Sequence, residues 1–156
     1  MVEQMLDRFI DGYTRTYLFA LKEIDQAIEE VEIGGKRIST EQFFVLRELK
    51  RAGEGVSATE LSNRLNVNKS AITAKIKNLT EKGFLLRTQN KEDKRAVILK
   101  MSASGLEIFQ ECEQQMKRLI NRWLSLFGKE NSEKLMTLYD QLVETVIDGE
   151  MQGGRH

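Results

Sequence analysis

The sequence predicts a mainly α-helical chain that carries one small β-hairpin. Three observations support this fold class. None of the 156 residues is proline, the residue that helix interiors exclude most strongly. Two long stretches, one near each end, repeat apolar residues at three- and four-residue spacing, which is the period of an amphipathic helix. Between them, two short segments rich in apolar and β-capable residues flank a charged tip, which is the pattern of a hairpin.

The first part of the chain predicts two helices. A long amphipathic helix is expected from about Val2 to Val31, where a Gly-Gly pair follows and stops it. A second helix is expected to begin at Ser39 or Thr40, because Ser39 and Gln42 have the spacing of a capping box. Gly53 is expected to end this helix.

The middle of the chain predicts two shorter helices joined by a turn. Ser57 is expected to cap the first, and residues 66–67 are expected to form a tight turn after it. Asn68 is well placed to cap the second, residues 69–82, which Gly83 ends.

A β-hairpin is predicted directly afterwards. Its strands are expected at residues 84–88 and 96–101, joined by the charged tip of residues 89–95. Helix, turn, helix and basic hairpin together predict a winged helix-turn-helix.

The remaining residues predict further long helices. Ser102 or Ser104 is expected to cap the first, Gly128 to interrupt it, and Asn131 or Ser132 to begin the last helix. A winged module of this size cannot cover the apolar faces of the terminal helices by itself. A twofold homodimer built from these helices is therefore the economical prediction.

The predicted organisation has four parts. They are an N-terminal dimerisation helix (1–35), a winged helix-turn-helix DNA-binding domain (36–102), C-terminal dimerisation helices (103–149) and a disordered tail (150–156).

The charges of the chain are unevenly distributed. Residues 57–100 carry 10 Lys/Arg against 4 Asp/Glu, whereas residues 1–56 carry 8 against 11 and residues 101–156 carry 6 against 9. The whole chain has no net charge, so all of its positive excess lies in the middle. Such asymmetry is typical of a protein in which one surface meets a polyanion.

The fourth helix is the candidate recognition helix. Its apolar stripe is expected to face the core, which leaves Ser70, Thr73 and Ala74 outward, where they could contact base edges in a major groove. Lys69 and Lys77 are expected to reach phosphates. The alternative is that these lysines belong to an ordinary solvated helix face.

The hairpin supplies the second candidate contact. Arg95 follows Asp93 by two residues near the tip, so both side chains can project on one face, with the carboxylate holding the guanidinium extended towards a minor groove. Lys91 and Lys94 are expected to add phosphate contacts. The alternative is a surface ion pair of little energetic weight.

Composition argues against several other functions. Cys112 is the only cysteine and His156 the only histidine, so no zinc cluster and no Ser/His or Cys/His nucleophilic pair is expected. Glycine-rich phosphate loops are also absent. We therefore expect no enzyme, no metal and no cofactor. The sequence lacks an apolar run of membrane-spanning length and a signal-peptide pattern, which predicts a cytoplasmic protein without membrane partners.

Several motifs in the middle of the chain resemble the winged-helix core of the MarR family of transcriptional regulators. They are Leu61-Ser62-Asn63-Arg64-Leu65, Ser70-Ala71-Ile72-Thr73, Leu79-Thr80-Glu81-Lys82-Gly83-Phe84, Asp93-Lys94-Arg95 and Leu99-Lys100-Met101-Ser102-Ala103-Ser104-Gly105. The resemblance covers roughly residues 38–110. Two positions depart from the family pattern: Lys75 stands where an apolar residue or histidine is frequent, and Ala74 where a basic residue is frequent.

The resemblance implies a homodimeric repressor or activator that binds double-stranded DNA at a pseudo-palindromic operator and is released by a small, often aromatic effector. On that pattern Arg95 reads the minor groove and Asp93 is its partner, while Ser70, Thr73 and Ala74 lie on the major-groove face. Base preference does not carry over, because of the two departures.

Two features are candidates for regulatory input. Tyr13, Tyr17, Phe43 and Trp123 are candidates to line an effector pocket between the dimerisation helices and the winged module, although aromatic residues at helical spacing are more often plain core. Cys112 is a candidate redox sensor by analogy with some members of the family. Its place near an apolar stripe favours the alternative of a small buried hydrophobe.

The main functional prediction is thus a sequence-specific DNA-binding transcriptional regulator, with a ligand-responsive repressor as its expected form. The alternative is a winged-helix module that binds a protein partner and no DNA. The positive middle segment and Arg95 favour DNA, because a protein-docking face is more often apolar.

Overall fold

A computed structural model describes residues 1–53, 55–93 and 97–153 of the chain. The first half contains four helices in this order: α1 (Val2–Glu29), α2 (Thr40–Ala52), α3 (Ala58–Leu65) and α4 (Lys69–Glu81). Two strands follow, β1 (Leu85–Gln89) and β2 (Val97–Met101), and then α5 (Ala103–Phe127) and α6 (Lys129–Leu142). A π-helical segment, Val143–Asp148, leads into a short helix, α7 (Gly149–Gly153). The mainly α fold class with a small hairpin is therefore confirmed.

The predicted caps of α2 and α3 are confirmed. The hydroxyl of Ser39 accepts the backbone N–H of Gln42, and the side chain of Gln42 accepts the backbone N–H of Ser39. Ser57 and Glu60 form the same reciprocal pair at the start of α3. Each capping box satisfies two backbone donors that the first turn of a helix would otherwise leave unpaired. The four residues therefore fix where both helices begin.

The turn between α3 and α4 depends on an asparagine with left-handed backbone geometry. Asn66 has φ 49°, a region that asparagine tolerates better than most residues. Its backbone N–H bonds to the carbonyl of Asn63 and closes the end of α3. Asn68 then begins α4, as the sequence predicts. The turn of the helix-turn-helix thus depends on Asn66, within the predicted turn, and on Asn68, the predicted cap.

The hairpin is a two-stranded antiparallel sheet. Leu85 pairs with Met101, Arg87 with Leu99 and Gln89 with Val97. The backbone N–H of Leu99 also bonds to the carbonyl of Val56 at 2.9 Å, which ties the hairpin to the segment before α3. Buried Leu85 and Leu99 direct one face of the hairpin into the core.

A single apolar cluster holds the residues before Met116 together. It draws on α1, α2, α3, α4, the hairpin and the first half of α5, with these members fully or almost fully buried: Ile28, Phe43, Leu46, Leu61, Ile72, Ile76, Leu79, Leu85, Leu99 and Ile108. Contacts divide the chain into two compact units, Met1–Met116 and the part from Lys117 onward. The winged module and its core belong to the first unit.

At Gly105, α5 approaches the backbone of Phe84, the residue before β1, very closely. A Cβ atom at this position would lie 1.9 Å from the carbonyl oxygen of Phe84, so only glycine fits without a backbone shift. Ser102 caps α5 here, since its hydroxyl accepts the N–H of Gly105 at 3.0 Å and donates to the carbonyl of Gly83 at 2.6 Å. Of the two serines proposed as the cap of α5, Ser102 fills the role.

The start of α6 differs from the sequence prediction. Helix α6 begins at Lys129, before Asn131 and Ser132, because Gly128 with φ 89° supplies the break and the helix resumes at once. The side chains of Asn131 and Ser132 instead donate to carbonyls at the end of α5, those of Phe127 and Leu124.

Residues 150–156, which the sequence predicts to be a disordered tail, are described in part. Residues 149–153 are helical, because Gly149 keeps right-handed helical geometry (φ −63°, ψ −47°) and no proline interrupts the backbone bonds. Residues 154–156 lie outside the described residues.

Across the part of the chain that the structure describes, no helix has the length and apolar character needed to cross a membrane.

Candidate nucleic-acid interface

Helix α4 is oriented by its buried stripe. Ile72, Ile76 and Leu79 are buried in the core, as predicted. At its start, the Oδ1 atom of Asn68 accepts both the backbone N–H of Ser70 at 2.8 Å and the hydroxyl of Ser70 at 2.7 Å. The buried stripe and the cap together fix the rotation of α4 about its axis, and therefore which of its residues face outward.

The outward face of α4 is small, polar and flanked by cations. Ser70, Thr73 and Ala74 are exposed, and so are Lys69 and Lys77. With about 100° of rotation per residue, Ser70 and Ala74 lie within about 30° of the direction opposite the buried stripe, which is the centre of the outward face. Lys77 lies about 50° from that centre. Small side chains at the centre of the face allow close approach of the helix backbone to a groove. Ser70, Ala74 and Lys77 thus lie on one side of the helix, away from the buried stripe.

The hydroxyl protons on this face are already used within the helix. Thr73 donates to the carbonyl of Lys69 at 2.8 Å, and Ser70 donates to Asn68. Both hydroxyls therefore present acceptor lone pairs to a partner, and Thr73 adds its methyl group. This chemistry suits an amino group of cytosine or adenine and a thymine methyl.

The lysines of α4 differ in what they contact. The ammonium of Lys75 lies 2.9 Å from the carboxylate of Glu41 on α2, a pairing that the sequence analysis missed. Lys77 lies 3.9 Å from Glu81, and both are largely exposed, so this pair holds Lys77 weakly. Lys69 has no ion-pair partner within the described ranges. Lys69 and Lys77 thus remain available to an anionic ligand, while Lys75 braces α4 against α2.

A polar network also anchors the far end of α4. The amide nitrogen of Gln42 donates to Oδ1 of Asn78 at 2.6 Å. Lys82 donates to the carbonyl of Arg37 at 2.7 Å, and Lys36 donates to the carbonyl of Lys82 at 2.9 Å. Burial lowers the pKa of Lys82 below its ordinary value. The capping-box spacing revealed Gln42, but nothing in the sequence indicated that its side chain also reaches α4.

The hairpin tip is described in part. Arg87 on β1 is exposed, and Oδ1 of Asn90 accepts the backbone N–H of Glu92 at 3.0 Å, which forms a local turn. Lys91 and Asp93 are exposed in this turn. Lys94 and Arg95, the other predicted wing contacts, lie outside the described residues.

The four aromatic residues proposed as a pocket occupy different environments. Phe43 is fully buried and stacks on Phe109, with ring centroids 5.9 Å apart. Tyr13 and Tyr17 stack on each other at 6.0 Å and are exposed on α1. Trp123 is half-buried and belongs to the second unit.

Two open cavities lie in the first unit, and neither is lined by those four residues. One, of about 260 Å³, is lined by α2, β2 and the start of α5, with Leu49, Leu99 and Leu106 among its walls. The other, of about 540 Å³, is lined by α2, α3 and α5, with Phe44 and Phe109 among its walls. Arg47 also lines the second cavity and donates to the carboxylate of Glu113.

Cys112 has the environment of a core residue. It is fully buried in the apolar cluster. Burial raises the pKa of its thiol to about 12, and the nearby carboxylate of Glu111 acts in the same direction. The thiol is therefore protonated at neutral pH and lacks the thiolate on which oxidant sensing depends. The interpretation of Cys112 as a small buried hydrophobe is the one that this environment favours.

Comparisons with known proteins agree with this geometry. The MarR family model matches residues 38–97, which run from just before α2 to the first residue of β2. The chain is 28% identical over 127 residues to the HTH-type transcriptional repressor MdtR of Bacillus subtilis (strain 168), covering 81% of this chain and 80% of that protein. It is 30% identical over 115 residues to the multiple antibiotic resistance protein MarR of Salmonella typhimurium, covering 74% and 66% of the two chains.

A solved structure shows the same fold. FabT of Streptococcus pneumoniae, determined in complex with DNA, superposes with a TM-score of 0.79 at 19% identity, covering 92% of this chain and 98% of that one. At this identity the likeness establishes the fold alone.

Proposed function

The chain belongs to the MarR family of winged-helix transcriptional regulators, and from that premise we propose that it binds double-stranded DNA as a homodimer and represses transcription from a pseudo-palindromic operator. Each protomer places α4 in a major groove of one half-site. The half-sites then lie about one helical turn apart, roughly 34–36 Å. The proposed regulator acts in the cytoplasm, where it meets DNA, and has no enzymatic activity.

The observation that carries the proposal is the outward face of α4. Ser70 and Ala74 are small and exposed, Thr73 presents an acceptor and a methyl group, and Lys69 and Lys77 flank them. This is the arrangement that direct readout needs, with compact groups at the centre of the face and cations at its borders.

The hairpin supplies the proposed second contact. Arg95 reads a minor groove with Asp93 as its partner, and Lys91 and Lys94 contact phosphates. The support for this assignment is their position in the sequence at the tip between β1 and β2, together with the positive excess of residues 57–100.

The proposed dimer rests on apolar side chains that the single chain leaves exposed. On α1 they include Phe9, Ile10 and Tyr13, and in the second unit Leu138 and Tyr139. Large apolar side chains exposed in this number are typical of an interaction site. Deleting residues 130–156 should therefore weaken dimerisation, as measured by sedimentation, and a dimer of unchanged stability would move the interface elsewhere.

We also propose that the protein binds a small effector. The cavity of about 540 Å³ places the rings of Phe44 and Phe109 beside the guanidinium of Arg47, for which a small aromatic acid would compete with the carboxylate of Glu113. Thermal shift with a panel of aromatic acids tests it. No shift with any member, in wild type and Arg47→Ala alike, would remove this cavity from the proposal.

The decisive experiment measures binding of the purified protein to its own promoter and to random duplexes across a salt series. Affinity should fall steeply with salt, because binding releases counterions from phosphates, and one promoter segment should be preferred. Negligible binding to every duplex at low salt would contradict the proposal. That result would favour the alternative of a winged-helix module that binds a protein partner.

A further inference from the structure

Gln42 has a buried side-chain amide, and both its oxygen and its nitrogen form hydrogen bonds. It is 7% exposed and lies at the start of α2. Its Oε1 atom accepts the backbone N–H of Ser39 at 3.0 Å and faces the ammonium of Lys82 at 3.4 Å. A backbone N–H can only donate, so the oxygen of this amide must point towards Ser39. Its Nε2 atom must then point the other way.

The orientation of the Gln42 amide determines the orientation of a second amide, on α4. The Nε2 atom of Gln42 donates to Oδ1 of Asn78 at 2.6 Å. Because the oxygen of Asn78 is held by that bond, its amide nitrogen is directed away from Gln42. A backbone group at Ser39 thus determines which end of Asn78 is presented outward.

Asn78 lies at the edge of the proposed DNA-reading face. It follows Ala74 by one helical turn and is exposed. At about 100° per residue, it lies about 50° from the centre of that face, on the side opposite Lys77. Thr73, which the sequence analysis selected, lies farther round the helix, at almost 90° from the same centre.

We propose that Asn78 is a further DNA-contacting residue, a donor to a backbone phosphate, and that Gln42 is the residue that positions it. This inference rests on the proposed function. An asparagine that reads adenine needs both its nitrogen and its oxygen, and the oxygen of Asn78 is engaged by Gln42. The remaining N–H donors suit a phosphate oxygen, which sequence-independent contacts most often use.

The test of the contact uses Asn78→Ala and Asn78→Asp, with DNA affinity measured on operator and random duplexes. The alanine variant should lose at least about 100-fold on both DNAs, because each dimer loses two hydrogen bonds to charged groups and each bond is worth about tenfold or more. The aspartate variant should lose more, because it keeps the bond from Gln42 and points a negative oxygen at the phosphate. Asn121→Ala, at an exposed asparagine of α5, is the matched control and should bind like wild type.

The test of positioning uses Gln42→Glu. A glutamate keeps the capping box and faces Lys82, so the fold should persist. It also turns the amide of Asn78 round, which presents an oxygen to the phosphate in each protomer and should weaken binding by at least about 100-fold. The loss should fall below about twofold in an Asn78→Ala background, since the two residues act as one unit. Gln114→Glu, at an exposed glutamine of α5, controls for the added charge.

The outcomes separate this inference from the proposed function. If the wild type binds DNA and the affinity of Asn78→Ala lies within twofold of it, the contact is overturned and the proposed function stands. A loss on the operator alone would mean base reading and overturn the phosphate assignment. If Gln42→Glu weakens DNA binding equally in the wild-type and in the Asn78→Ala background, the positioning role is overturned. Absence of salt-dependent binding by wild type would overturn the function and this inference together.

Discussion

Helices α4 and α1 use the same amphipathic pattern with opposite results. The apolar stripe of α4 is buried, with Ile72 2% and Ile76 0% exposed. The stripe in the first half of α1 remains on the surface, with Phe9 65% and Tyr13 63% exposed. The difference lies in where the complementary surface is encoded. For α4 the same chain supplies it, whereas for α1 we propose that a second copy does.

The comparison also separates two kinds of stability. Burial of the α4 stripe contributes to the folding of one chain, so it should be independent of protein concentration. Burial of the α1 stripe would contribute to association, so its effect should depend on concentration.

The largest expected effect is that of Ile76→Ala. This residue is fully buried in the core, so the substitution removes buried methyl groups and leaves a cavity. We expect the free energy of unfolding to fall by about 2–5 kcal/mol. The control is Ile10→Ala on α1, which should change the stability of the monomer by less than about 0.5 kcal/mol because Ile10 is exposed there. Urea unfolding at several protein concentrations measures both. Equal losses at the lowest concentration would remove the distinction between the two helices.

The next effect is that of Phe9→Ala on association. If the α1 stripe is covered by a second copy, each lost ring should weaken the dimer by about 1.5–3 kcal/mol, with little change in the unfolding of the monomer. Sedimentation equilibrium measures the dissociation constant. Arg15→Ala, also exposed on α1 but off the apolar stripe, is the control. A dissociation constant unchanged by Phe9→Ala would show that the first half of α1 lies outside the interface.

The same contrast explains how much the sequence could predict. Local signals located the helix starts, because Ser39, Ser57 and Asn68 carry their caps within three residues. Periodicity located the buried face of α4 and, with it, the outward residues. Contacts between distant residues had no such signal: Gln42 meets Asn78 across 36 positions, and Lys75 meets Glu41 across 34.

The residues proposed for the effector pocket have environments that their spacing did not predict, for a related reason. Helical spacing shows that Tyr13, Tyr17 and Phe43 lie on apolar faces, but it does not distinguish a face that packs into the core from one that stays exposed. Phe43 has Phe109 as its neighbour in the core, and the two tyrosines have only each other as a ring partner within the described residues. Which face is covered depends on tertiary packing, which a periodic pattern does not specify.

A smaller effect is expected from Arg95→Ala, which tests the hairpin against α4 as a source of affinity. Loss of a guanidinium from a narrow minor groove should weaken operator binding by about 1 kcal/mol or more while the unfolding transition stays unchanged. Fluorescence anisotropy with labelled operator measures it, and Arg118→Ala on α5 serves as the charge-matched control. Unchanged affinity would assign DNA binding to α4 without the wing.

The smallest and most specific effect is expected from Thr73→Val. The hydroxyl of Thr73 donates to the carbonyl of Lys69, so only its lone pairs and its methyl group face outward. Valine keeps a methyl group and removes the acceptor, and it also removes a bond that competes with the helix backbone, so stability should change little. Affinity for random DNA should therefore stay within about twofold, while the preference among bases at one operator position shifts by about 1 kcal/mol. Competition binding against operators substituted at single positions measures this shift. A uniform loss over all sequences would instead place Thr73 at the phosphates, and would make Ser70 and Ala74 the only base-reading candidates of α4.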